Sequence, residues 1–507
     1  MSLFFRSVPL FAAAVAVSLA AQPAAAKTLR VGGTQAPPTL GNPYSAVGPP
    51  ASTTWSAMFD ALTYLDAKGD VLPALALSWE NTSPRTWVFK LRPGVKFQNG
   101  TDFAADDVIA VLDYLKSPDG ARWLVAGELR IIESYRSVDP MTVEITTVAP
   151  DAILPKRMNI IMIVEPGAWK TLGPDGFGLT PVGTGPFILK DWGRSSGRGV
   201  MEPFKDSWRA PKQVTRLELV NILDTAARTQ ALMADQIDVA VGLNPEDGAL
   251  LDGNGFRAQY EPSAVVMSIA FRTERADTAP LKDKRVRQAL NYAVDKEGIV
   301  TTILAGTTRV ASQGATPETY GYNPDLKPYP YDPAKAKALL AEAGYPNGFP
   351  LKIEVLTNLG MSDTTVYQKM AEDLGKIGVA VELRPNTFAG WLRHYMSGEW
   401  DDIDAFSLTW NSAPFQDVIR PIEYFSCMKT AKFFCDPEMV PLIEASNREM
   451  DPDQRQAKLR EIMARMYDAA PALWLVDFSN LLIVSDRLEN VYTRPAGIVF
   501  EEIEFKK

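Results

Sequence analysis

The 507-residue chain is 46% hydrophobic and 22% charged, with 52 basic against 61 acidic side chains and a net charge of −9. That balance argues against a nucleic-acid partner, whose phosphates call for a basic patch. Heptads, low-complexity tracts and repeats of about 20–50 residues are missing, so coiled coils and solenoids are set aside, and the length predicts two or three packed domains at roughly 100–200 residues each.

The first element expected is an export signal. Met1–Arg6 is short with one positive charge, Val8–Ala21 is apolar, and Gln22-Pro23-Ala24-Ala25-Ala26 ends in small residues where a signal peptidase reads them. Residues 1–26 are therefore predicted to be a signal peptide cut after Ala26. The apolar run falls short of the roughly 20 residues of a bilayer span; a retained anchor is the rival reading. Neither cysteine sits at the cleavage site to take a lipid, so the expected product floats free in a periplasm.

Thr86-Trp87-Val88-Phe89-Lys90-Leu91 alternates polar and apolar residues and predicts a strand, turned by Arg92-Pro93-Gly94. Asp106 to Leu115 predicts a helix with Val108, Val111, Leu112 and Leu115 on one face. Gly193-Arg194-Ser195-Ser196-Gly197 has the spacing of a hydrolase nucleophile elbow, which needs a strand before it and a helix after it. Arg198-Gly199-Val200-Met201-Glu202-Pro203 cannot start a helix promptly, so a glycine-rich hairpin turn is the better reading.

Val286, Ala289, Leu290, Ala293 and Val294 form a helical stripe. Asp332-Pro333 and Asp451-Pro452 each put a capping carboxylate before a proline suited to the first helical position. The first of these helices turns Ala336, Leu339, Leu340 and Ala343 inward and stops at Gly344; the second carries Leu459, Ile462, Met463 and Met466. Strands at 351–356 and 379–383 flank a helix near 365–376, and this order indicates an α/β lobe. Cys427 and Cys435 lie eight apart, and in an oxidising compartment they are expected to form a disulfide that pins one loop. The alternative, a metal or redox site, lacks C-x-x-C spacing and a nearby histidine.

Four of these segments, in order, resemble family 5 of the extracellular solute-binding proteins, the dipeptide, oligopeptide and nickel receptors of ABC importers. They are Leu75-Ala76-Leu77-Ser78-Trp79-Glu80 with Thr86 through Phe97, Gly183-Thr184-Gly185-Pro186-Phe187, Lys284 through Asp295, and Tyr331-Asp332-Pro333 through Tyr345. The resemblance implies a two-lobed α/β periplasmic-binding-protein fold of the large class II type, with an extra subdomain in the first lobe. The first lobe would span 27–267, the second 268–476, and 477–507 would return to the first. Crossings are expected near 265–272 and 473–478. Solute would be buried between the lobes by hinge closure, which it favours only by binding the closed state better. An ABC permease would be the partner, the receptor would be monomeric, and neither enzyme activity nor a cofactor is implied.

Dipeptide receptors of the family hold the ligand's ammonium with an aspartate just after a tryptophan-led turn. The matching turn is Trp410-Asn411-Ser412-Ala413-Pro414-Phe415-Gln416-Asp417, and the aspartate's place falls on Ala413. The arginine that takes the ligand's carboxylate falls on Thr357. A buried ammonium without a counter-charge is costly, so a neutral polar solute is expected, held by Thr357, Asn358, Asn411, Ser412 and Gln416 between aromatic walls from Trp391 and Trp410. Asp417 or Arg420 could replace the missing anchors, which keeps a peptide receptor open as the alternative. Trp391 as core and Asn358 as a loop cap also stay open.

A secreted carboxylate-dependent hydrolase is the other class weighed. Asp106-Asp107 and Asp401-Asp402 are adjacent residues that point in different directions, which suits solvated acids better than an acid–base pair. The single histidine, His394, sits in an expected helix and reads as a surface residue rather than a base or ligand. One histidine and two bridged cysteines make a side-chain cage for a transition metal improbable; nickel carried by an organic chelator stays open.

Overall fold

The computed structural model describes residues 27–33, 37, 39–48, 51–274, 280–357 and 361–506; the expected signal peptide and Asn358 lie outside them. The main sheet contains β1 (Thr28–Gly33), β2 (Phe187–Asp191), β3 (Arg198–Pro203), β4 (Arg216–Asn221), β5 (Val239–Val241), β6 (Phe256–Phe271), β7 (Pro350–Val355), β8 (Ala380–Pro385), β9 (Ala405–Ser407), β10 (Trp410–Asn411) and β11 (Ala472–Ser485). Its order is β8-β7-β9-β6-β11-β5-β1-β4-β3-β2, with β10 also on β6.

Two long antiparallel strands, β6 and β11, form the middle of this sheet. Their first-lobe halves pair Phe256–Pro262 with Ser485–Ser479, and their second-lobe halves pair Val266–Ala270 with Asp477–Ala472. The register breaks between Pro262 and Val266, as at a bulge that re-aims a strand. Ser263 Oγ donates to the Phe478 carbonyl across the break at 2.6 Å, and Thr308 Oγ1 donates to the Asp477 carbonyl at 2.6 Å. Among the described strands, the two halves of the sheet therefore share only this ribbon.

On the first-lobe side a separate antiparallel sheet runs in the order Ala76–Ser83, Thr86–Leu91, Thr142–Thr147, Ile132–Asp139. Alternation in its second strand buries Trp87, Phe89 and Leu91, and Gly94 makes the following turn at φ +74°. The helix Ala105–Lys116 buries the four predicted residues against it. Residues 193–197 form a hairpin turn between β2 and β3, with Gly193 and Gly197 at positive φ and no helix following.

The second lobe is a three-layer α/β unit. β7 and β8 pair in parallel around the helix Asp363–Gly375. Asp332 and Asp451 cap their helices by accepting from the backbone N–H of Lys335 and Gln454. One face of the sheet buries the helices Lys284–Ala293, Pro333–Glu342 and Asp363–Gly375; the other buries an aromatic-rich core under the helices Ile419–Tyr424, Met439–Arg448 and Pro452–Ala469. Cys427 and Cys435 are joined in a disulfide, and their loop sends Phe433 and Phe434 into that aromatic core.

Candidate functional site

The tryptophan-led turn is held by its own backbone. Trp410 and Asn411 pair with Val266 and Val265 of β6, and the Ser412 N–H donates to the Ala264 carbonyl at 2.8 Å. Asn411 Oδ1 accepts from the Ala413 N–H at 3.0 Å, while Gln416 turns the chain at φ +48° and accepts from the Tyr320 N–H through its carbonyl. These bonds fix the turn from the second-lobe side.

First-lobe residues close on it from the opposite side. Asn159 Nδ2 donates to the Pro414 carbonyl at 2.6 Å. Lys156 Nζ lies 3.8 Å from Asp417 and 5.1 Å from the centre of the Tyr320 ring. Gly69, in the turn between two short strands, lies against Gln416. The turn Asn411–Gln416 thus sits where the two lobes meet.

Three of the expected side-chain roles need correction. Trp391 is no aromatic wall: it is buried among Tyr395, Trp400 and Phe406, and its indole donates to the Ser407 carbonyl at 3.1 Å. Trp410 offers no open face either. Phe425 stacks on it at 4.0 Å, and Gly314 lies so close to the indole that an added Cβ would be 2.2 Å from its ring. Asp417 is no free anchor, because Arg455 pairs with both its oxygens at 2.7 and 3.2 Å. Burial opposes ionisation of Asp417, but Arg455 and then Lys156 outweigh it and hold the carboxyl below its usual range.

Arg420 is likewise engaged, donating to the Asn411 carbonyl at 3.0 Å and lying 3.4 Å from Glu128. His394 is not a free surface residue; its Nδ1 lies 3.1 Å from the Glu354 carboxylate. Thr357 is half-buried just beyond β7, and Ala413 is half-buried in the turn. What the turn holds in reserve is uncharged: the Trp410 indole N–H, Ser412 Oγ and Gln416 Oε1 are buried and, among the described residues, have no hydrogen-bond partner. Each such group costs about 1–3 kcal/mol if left unpaired. A native fold keeps few of them without a reason.

Residues 70–430 match the family described as bacterial extracellular solute-binding proteins, family 5 Middle. The chain belongs to that family.

The glutathione-binding protein GsiB of Pectobacterium atrosepticum is 26% identical over 505 residues, covering 96% of each chain. Heme-binding protein A of Haemophilus influenzae is 31% identical over 366 residues, 65% of this chain and 64% of the relative, so that match spans less than two thirds of the relative's length. Among solved structures, DppA of Helicobacter pylori in complex with the peptide STSA has a TM-score of 0.83 at 20% identity, covering 95% of this chain and 98% of that one. AgaA of A. tumefaciens R10 in complex with agropinic acid also has a TM-score of 0.83, at 23% identity and coverage of 95% and 99%. Identities this low establish the shared two-lobed fold.

In this family 5 receptor the quoted motifs build the scaffold around the turn. Thr184 Oγ1 donates to buried Asp60 at 2.6 Å, which also accepts from Trp208 and Arg209. Arg287 donates to the carbonyls of Leu281, Lys282 and Ala469. The first-lobe side of the junction was missed in the sequence, because Lys156 and Asn159 meet partners more than 250 residues away. Among the described residues no group of three His, Cys, Asp or Glu could hold a metal ion, and no helix is long and apolar enough to cross a membrane.

Proposed function

We propose that the mature chain, released by cleavage after Ala26, is a monomeric periplasmic receptor that captures a neutral, hydroxyl- or amide-rich solute and passes it unchanged to an ABC permease. The lobes would hinge about the register break of β6 and β11. The observation that carries the solute class is the charge state of the turn Asn411–Gln416. The orphaned groups of Trp410 and the turn are uncharged, Asp417 is paired with Arg455, and Arg420 is engaged by the Asn411 carbonyl and Glu128, although its Nε has no hydrogen-bond partner among the described residues. Ala413 and Thr357 stand where dipeptide receptors of the family place their charged anchors. Solute hydroxyls would satisfy the Trp410 N–H, Ser412 Oγ and Gln416 Oε1, and the gain is specific because each group is otherwise unpaired.

The relatives bind chemically different cargo: glutathione and heme by their names, a peptide and agropinic acid in the solved complexes. Family membership therefore leaves the solute to be read from this chain's own turn. A thermal-shift screen of the mature protein against sugars, polyols, neutral amides, di- and tripeptides, opines and chelated nickel tests the reading. A ligand at about 100 times its Kd adds roughly 2.7 kcal/mol, a shift of a few degrees. Stabilisation by uncharged, hydroxyl-rich solutes alone is expected. Stabilisation by dipeptides alone would overturn the solute class and make Asp417 and Arg420 the residues to mutate.

A further inference from the structure

A second contact between the lobes adjoins the turn, where Arg420 donates to the Asn411 carbonyl, and is built of charge. Arg157, in the short helix Leu154–Arg157 of the first lobe, is buried; it donates to Asp151 at 2.7 Å and reaches Glu423 of the second lobe at 3.4 Å. Glu423 also pairs with Arg130 of the first lobe and accepts from Asn447 Nδ2 at 3.1 Å. In the reverse sense, buried Glu128 of the first lobe faces Arg420 of the second at 3.4 Å and accepts from the Tyr424 hydroxyl at 3.1 Å. Three guanidinium groups thus meet three carboxylates, and each lobe brings both signs.

The arrangement has a particular energetic consequence. Burying balanced ion pairs yields little net stability, because desolvation offsets the attraction. Removing one partner is different, since it strands a charge in the closed interface while water solvates it freely in the open one. Burial opposes ionisation of Glu423, yet Arg157 and then Arg130 outweigh it and keep its carboxyl below the usual range, so Glu423 stays charged at neutral pH. In this closed arrangement the six charges balance, with Glu128 Oε2 and Arg420 Nε left without hydrogen-bond partners among the described residues.

We propose that Glu128, Arg130, Asp151, Arg157, Arg420 and Glu423 form a charge-matched latch that lets the lobes close in register without solute. It rests on the reading of the chain as a closing receptor, though not on the solute class. A solute that needs the closed form binds with an apparent affinity scaled by the closed fraction. The latch then sets affinity for every solute by one common factor, whereas the turn sets which solute is chosen.

The test uses the full mature chain without any ligand. Both native cysteines are bonded to each other, so spin labels can be placed at Lys170→Cys and Lys337→Cys, which lie exposed on helices of opposite lobes. Pulsed electron–electron distance measurements should resolve a closed population in the otherwise wild-type protein. Glu128→Gln leaves Arg420 unmatched and is expected to lower the closed-to-open ratio by at least about tenfold. Glu128→Gln combined with Arg420→Met restores the charge balance and should return the ratio to within about threefold of wild type. Arg130→Ala, at a side chain 44% exposed, should shift the ratio in the same direction as Glu128→Gln with little risk to folding. A wild-type protein that is wholly open, a single variant with an unchanged ratio, or a double variant as open as Glu128→Gln would overturn the latch. Since no solute is present, a wrong solute class cannot produce any of these results.

Discussion

Gly69 and Gln416 touch across the lobe junction, each in a left-handed backbone conformation, at φ +83° and +48°. A Cβ at Gly69 would stand 2.5 Å from the Gln416 Cβ, closer than side chains approach, and the positive φ adds strain for any L side chain. Gly69→Ala should therefore hold the lobes apart as well as lowering stability by about 1 kcal/mol. Small-angle scattering should give a larger radius of gyration than wild type. An unchanged radius with only the stability loss would show that the turn yields.

Gly314 is a packing counterpart on the second lobe. Its missing side chain leaves room for the indole of Trp410, and Phe425 closes the other face. Gly314→Ala should cost about 1–3 kcal/mol by overpacking, read as a lower denaturation midpoint at an unchanged slope. It should also weaken solute binding, because the indole N–H moves with the ring.

The disulfide closes a small loop, so its effect on the unfolded chain is modest. Replacing Cys427 and Cys435 together with serine should lower stability by about 2–3 kcal/mol. The loss should be confined to the second lobe, where Phe433 and Phe434 pack into the aromatic core. Hydrogen exchange would locate it. Faster exchange spread evenly over both lobes would contradict this placement.

Elements were legible in the sequence wherever one segment decides its own structure. The alternation of Trp87, Phe89 and Leu91, the carboxylate caps Asp332 and Asp451, and the hairpin at 193–197 depend on neighbours a few residues away, and the structure has each of them. The site was less legible because it is assembled from distant partners. Arg157 meets Glu423 across 266 positions, and no local pattern marks either residue. For Trp391 the core reading holds and the wall reading fails for a related reason: it is the buried residue of the helix Phe388–Ser397, and its ring turns into the core. Asp417 looked available because its partner Arg455 lies 38 positions away on another helix.

Lys296 supplies a pH test of the second-lobe core. It is buried beside the Tyr329 ring and, among the described residues, has no carboxylate partner and reaches Asn291 Oδ1 at 3.5 Å; burial lowers its pKa to about 7. The unfolded chain, with an ordinary lysine near 10.4, binds more protons than the folded one between those values. Stability contributed by this group should therefore rise with pH from about 7 to 10, the full cost of the buried charge being present below 7. Lys296→Met should be more stable than wild type at pH 6, with the gap narrowing toward pH 10. A gap independent of pH would show that Lys296 does not titrate in that window.

The central claim is tested most directly by competition under native mass spectrometry. The mature protein would be mixed with equal concentrations of a polyol, a neutral sugar, an amide-rich solute, a dipeptide and a histidine–nickel chelate, and the bound mass read and then released. A one-to-one adduct with an uncharged, hydroxyl- or amide-rich solute, recovered chemically unchanged and lost in Ser412→Ala combined with Gln416→Leu, is the predicted result. A dipeptide adduct, or a solute returned as a reaction product, would contradict it.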